Sequence, residues 1–227
     1  SRLDGLPVEE RRLLQHAAVL GKTFSRAAVA ALSNIDPESI DQLLASLARK
    51  EILGFQADPR SPERGQYGFL QDLVRHVAYE TLSRHDRRAR HLAAAEHLGW
   101  SEETIEVAAA HYVAAYEAAP DADDASVIKA HACDALVRAA KHAAALSAAA
   151  EARRYFEQAA QLVDESVERA TLLLEAGEWA GRARGVESAT PLLEQALSLF
   201  AAAGDVHGGA RASLALGRFQ FFSGYRE

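Results

Sequence analysis

Ala152-Arg153-Arg154-Tyr155-Phe156-Glu157-Gln158-Ala159 returns 37 residues later as Ala189-Thr190-Pro191-Leu192-Leu193-Glu194-Gln195-Ala196. The offset holds outward from this core. Leu136, Ala140 and Leu162 align with Leu173, Gly177 and Leu199. In each unit a small residue (Ala140, Gly177) precedes an alanine (Ala152, Ala189), then a large apolar residue (Phe156, Leu193), then a second alanine (Ala159, Ala196). Small side chains let two antiparallel helices approach closely, and the large one fills the space between them. A repeated helix pair builds a stacking surface, not a pocket of catalytic groups.

This spacing resembles the tetratricopeptide repeat, whose unit of about 34 residues carries small, aromatic and alanine positions at similar intervals. The longer offset implies that three extra residues lengthen the helices or the turn between units. A further match begins at Leu216-Gly217 with Phe221 beyond, and the chain ends at Glu227 before a second helix. Terminal repeats normally carry a polar cap, so the expectation is a truncated array in which Phe219, Phe221, Phe222 and Tyr225 are exposed. Stacking would set Val137, Lys141 and Ala145 of one unit beside Leu174, Glu178 and Arg182 of the next. These six residues form the candidate partner-binding groove, for another domain of the same protein or a peptide, with Lys141 and Glu178 also able to pair with each other or with solvent.

Charge divides the chain. Residues 1–100 carry 14 Lys+Arg against 13 Asp+Glu, and residues 101–227 carry 11 against 19. With Gly99-Trp100-Ser101 this places a boundary near residue 99, giving domains 1–98 and 99–227. Ala119-Pro120-Asp121-Ala122-Asp123-Asp124 is a second break. No apolar run reaches the roughly 18 residues of a membrane span and there is no basic-then-apolar leader. Cys133, the single cysteine, cannot form an internal disulfide, so the expected compartment is cytoplasmic. A chain that opens on Ser and lacks Met reads as excised from a longer protein.

The first domain reads as three helices and a hairpin. Leu6-Pro7-Val8-Glu9-Glu10 opens a helix with Pro near its first turn and carboxylates where the dipole favours them. Leu13, Leu14, Ala17 and Leu20 share one face, and Gly21 ends it. Ser25 caps a short helix through Leu32. Asp36-Pro37-Glu38 starts a third helix with Ile40, Leu43, Leu44 and Leu47 as its stripe. Ile52–Phe55 and Gln66–Phe69 flank a turn-rich tract and read as a β-hairpin. The expected fold class is mainly α: a winged-helix-like domain with a small β-hairpin, followed by an α-α superhelix of tetratricopeptide-like repeats.

The tract Phe69-Leu70-Gln71-Asp72-Leu73-Val74-Arg75-His76-Val77-Ala78-Tyr79-Glu80-Thr81-Leu82, with Arg87, Arg88 and His91 following, resembles the segment after the winged helix in large bacterial signal-transduction ATPases. Gln71 stands where that pattern has His. The resemblance covers essentially the whole chain. It implies a regulatory segment that couples a P-loop ATPase module to an output domain, either a nucleotide cyclase or a transcription activator. The partner is then a protein or another domain of the same chain. It carries over no catalytic, cofactor-binding or metal-binding residue, because those motifs lie outside these 227 positions.

Gly21-Lys22-Thr23 looks like the end of a phosphate loop, but the motif needs Gly where His16 stands, and a strand where the pattern is helical. His85, His91 and His97 are six apart, each turned about 240° from the last on a helix, which defeats a shared metal site. Glu9-Glu10 and Glu102-Glu103 read as helix-start carboxylates and Cys133 as a packing residue. The rival reading is DNA binding through the third helix. That helix begins with Asp36, Glu38 and Asp41, and only Arg49 and Lys50 at its end are basic. Arg60, Arg64, Arg84, Arg87, Arg88 and Arg90 are the remaining candidates for phosphate contact. A near-neutral domain fused to an acidic one supplies little of the charge that phosphate binding needs, which disfavours nucleic acid.

Overall fold

The computed structural model describes residue 3 and residues 5–33, 35–58, 61 and 64–223. Arg60, Tyr225 and the Phe222 side chain lie outside the described residues. The chain is mainly helical with one small antiparallel sheet. It divides into two compact units, residues 1–99 with 114–125, and residues 100–113 with 126–227.

In the first unit the order is α1 (Val8–Leu20), β1 (Thr23–Ser25), α2 (Arg26–Ser33), α3 (Pro37–Arg49), β2 (Leu53–Phe55), β3 (Gln66–Phe69), α4 (Asp72–Glu80) and α5 (Arg84–Leu98). The helix starts are chemical. The Asp36 carboxylate accepts from Ser39 N at 2.9 Å, with Pro37 at the first helical position. Ser25 Oγ accepts from Ala28 N at 3.0 Å, and Ser83 Oγ from Asp86 N at 3.0 Å. Such caps satisfy amides that have no partner inside the helix. Leu13, Leu14, Ala17, Ile40, Leu44 and Leu47 are fully buried with Val29, Phe24 and Phe69, while Leu20 and Leu43 pack at the margin.

The sheet differs from the two-stranded hairpin that the sequence suggests. β2 and β3 pair antiparallel as expected, but β1 adds a third strand and β3 becomes central, in the order β1-β3-β2. Thr23 pairs with Gly68 and Ser25 with Gln66. Polar Thr23 and Ser25 flank buried Phe24, a period-2 pattern too short to separate from a turn.

Glu10 is a second correction. It is more than a helix-start carboxylate: it is buried, and Lys50 Nζ reaches both its oxygens at 2.6 and 2.7 Å. Ser46 Oγ donates to it at 2.7 Å. Burial alone would raise this carboxyl, but the Lys50 and Ser46 hydrogen bonds outweigh it and hold it below the usual carboxylate range. Lys50 therefore ties α3 to α1.

The second unit is built from α6 (Ile105–Ala118, of which the start belongs here), α7 (Ala125–Ala145), α8 (Ala149–Leu162), α9 (Ser166–Arg184), α10 (Val186–Ala203) and α11 (Val206–Ser223). Contacts fix how they lie. Cys133 Sγ of α7 stands 4.0 Å from Ala159 O of α8, and Lys129 pairs with Asp164 just beyond α8. Tyr155 of α8 donates to Glu106 of α6 at 2.9 Å. Arg211 and Arg218 of α11 reach Glu175 and Glu178 of α9 at 3.6 and 3.4 Å. Successive helices run antiparallel, and α6 meets α8 as α9 meets α11.

The quoted repeat positions form the seams. Ala140, Ala152, Phe156, Ala159, Ala189, Leu193 and Ala196 are all buried. A Cβ at Gly177 would lie 2.6 Å from Leu193, one at Gly181 2.2 Å from the Phe219 ring, and one at Gly208 2.3 Å from the Phe200 ring. In α11 the close approach falls on Gly208 and buried Ala212, whereas Gly217, expected from the sequence to start the next match, faces open space. Phe221 is exposed and Phe219 half-buried.

Candidate interaction surface

The six residues expected to line one groove separate in the structure. Val137 and Glu178 are half-buried, and Lys141, Ala145 and Arg182 are exposed. Leu174 is 1% exposed and belongs to the core, so it cannot contact a partner. Arg182 lies over the Trp179 ring at 4.3 Å. Glu178 engages Arg218, not Lys141.

Lys141 lies within electrostatic reach of Glu175 across α7 and α9, as Cys133 does of Glu168. These pairs lie 34 and 35 residues apart in sequence, three and two short of the offset of 37. Burial and the neighbouring Glu178 carboxylate raise the Glu175 carboxyl, against the pull of Arg211, Arg182 and Lys141. The charges of α9 and α11 on this face are thus largely spent on each other.

Lys141 and Ala145 reappear on the wall of a different feature. Trp100, Glu102 and Ile105 at the start of α6, with Arg138, Lys141, His142, Ala145 and Leu146 at the end of α7, enclose a groove of about 430 Å³. The Trp100 and Tyr112 rings stack at 5.5 Å with a 28° interplanar angle, and His131 meets Tyr112 edge-on at 5.6 Å. The Arg138 guanidinium lies 4.9 Å from the centre of the Trp100 ring. Ser147, at φ 58°, closes α7 in the left-handed conformation, with Ala148 N donating to Ala143 O at 2.9 Å. Sequence reading used Trp100 only as a boundary mark. The available signal was a tryptophan at a helix entrance with cations at helical spacing opposite it.

Chemistry elsewhere is sparse. Gly21, at φ 124°, follows a helix and precedes a strand, the reverse of a phosphate-loop entrance. Lys22 O accepts from Phe69 N at 3.0 Å, tying this tripeptide into the sheet. Among the described residues no three His, Cys, Asp or Glu side chains gather as a metal site. Burial raises the Cys133 thiol, so its thiolate is disfavoured. His91 Nε2 lies 3.0 Å from the Tyr79 hydroxyl. Among the described residues no helix is long and apolar enough to cross a membrane. No family model matches the chain, and no curated protein or solved structure matches it either.

Proposed function

We propose that the chain is a non-catalytic interaction segment of a larger bacterial signalling protein, coupling a P-loop ATPase module to an output domain through protein contacts in the cytoplasm. In this reading the first unit is a winged-helix-like domain. Its order of helix, strand, two helices and two strands, with the sheet order β1-β3-β2, supports this reading. The second unit is read as tetratricopeptide-like repeats, which the alternating helices and buried small-to-large seams support.

The observation that carries protein contact over DNA is the fate of the basic side chains. Arg26 pairs with Asp41 and Lys50 with Glu10. Arg87 pairs with Glu80 at 2.9 Å, Arg90 with Asp86 at 3.0 Å, and Arg88 with Asp124. Arg84 Nε donates to Ala118 O at 2.9 Å. These six cations, which a phosphate backbone would need, are already engaged within the unit, and Asp36 and Glu38 open the third helix with like charge.

A labelled random DNA duplex, titrated at low salt and followed by fluorescence anisotropy, tests this choice. The expected result is no binding. Submicromolar, salt-sensitive affinity would overturn it in favour of a DNA-binding winged-helix segment of a transcriptional regulator.

A further inference from the structure

We propose that the groove between the start of α6 and the last turns of α7 receives a short acidic peptide segment with an apolar side chain beside its carboxylates. This rests on the interaction reading above and names the class of partner. The groove offers two kinds of contact side by side. Ile105 forms a buried apolar base, while Trp100 at 39% exposure and Leu146 at 66% present open apolar surface.

Beside them stand two cations. Lys141 makes no ion pair within 4.0 Å among the described residues, and its pull on Glu175 of α9 is the weakest of the charges acting there. The Arg138 Nε reaches Asp134 at 3.3 Å, and its terminal nitrogens, held against the indole, have no acceptor among the described residues. A guanidinium fixed on a ring has lost little further entropy to give when it binds a carboxylate.

Charge complementarity selects the occupant. Residues 101–227 carry 19 acids against 11 bases, so a pair of cations on one groove is the exception in an acidic neighbourhood. A long polyanion would meet that surrounding charge over its whole length, whereas a short acidic peptide meets mainly the groove. The start of α6 adds the positive end of a helix dipole. Glu102 is the one opposing carboxylate of the lining, and it makes a second prediction possible.

The test uses the full chain carrying Trp179→Phe, which leaves Trp100 as the single indole. It is titrated with three blocked decapeptides that share one Leu and one Phe, with Glu, Gln or Lys at every other position. The expected result is a saturable change in Trp100 emission with the Glu peptide, weakened by salt. Lys141→Glu should lower that affinity about tenfold and Lys141→Gln less, while Glu102→Gln raises it about threefold. Lys141 and Glu102 are both exposed, so these variants should keep the parent circular dichroism.

Equal binding of the three peptides, or binding indifferent to Lys141→Glu, would overturn the groove assignment. So would a DNA duplex that displaces the Glu peptide. Amide exchange separates this failure from failure of the wider reading. If the Gln or Lys peptide instead protects α9 and α11 with Trp100 unchanged, the groove assignment falls and the interaction reading stands. If no peptide binds by either readout, both fall.

Discussion

Replacing His16 with Leu should stabilise the first unit and remove most of its sensitivity to mild acid. His16 sits in α1 at 6% exposure, and neither ring nitrogen has a hydrogen-bond partner among the described residues. Burial first, then the Arg90 and Arg12 cations, lowers its proton affinity to a pKa of about 4, with Asp86 opposing. The unfolded chain binds a proton at His16 below about pH 6.5, and the folded chain refuses it until about pH 4. Between those values the unfolded state holds more protons, so stability falls as pH falls. The full window corresponds to roughly 3 kcal/mol.

The Leu variant should lack this slope. It should also be about 1 kcal/mol more stable at neutral pH, because an unsatisfied buried ring has been replaced by an apolar side chain. Burial also lowers the pKa of His111, but that residue is common to both proteins and cancels in the difference. Urea denaturation at several pH values, followed through α1 and α5 amide resonances, measures it. Identical pH slopes in the two proteins would refute the assignment.

The seam at Gly177 supplies the second large effect. An Ala there would place its Cβ 2.6 and 2.7 Å from the Leu193 side chain, which must then shift. Gly177→Ala should destabilise by about 2 kcal/mol, overpacking outweighing the roughly 1 kcal/mol that Ala gains in helix propensity. Leu193→Ala alone should cost about 3 kcal/mol by leaving a cavity. With Leu193 already Ala the clash is gone, so Gly177→Ala should stabilise by about 1 kcal/mol. The sign of one substitution thus reverses with the residue facing it. Thermal melts of the four proteins give the coupling. Additive effects would mean that α9 and α10 do not meet at this pair.

Much of the helical framework was legible because its signals are local. Pro37 after Asp36, Gly21 after Leu20, and the stripe Ile40-Leu44-Leu47 each state an element boundary or face within a few residues. The repeat was legible because small and large residues recur at a fixed interval. What escaped reading depends on chain segments distant in sequence. β1 is a strand only because β3 offers it hydrogen bonds. Glu10 is a buried ion-pair partner only because α3 brings Lys50 to it. The sequence offset of 37 places six residues in one groove only if the helices meet at that offset. Helices slide along one another to optimise packing, so Lys141 acts on Glu175 while Glu178 turns to Arg218. Leu174 lies in the core because of the rotation of α9 about its own axis, which periodicity alone does not fix.

The central claim is that the helices after about residue 100 nest side by side, with α7 next to α9 and α9 next to α11. Zero-length carbodiimide coupling of the native chain, read by peptide mass spectrometry, tests it without mutation. Lys129 should couple to Asp164, and Lys141 to Glu175. Coupling of Lys141 to acids elsewhere in the chain, with none to α9, would contradict the nested arrangement and the interaction surface drawn from it.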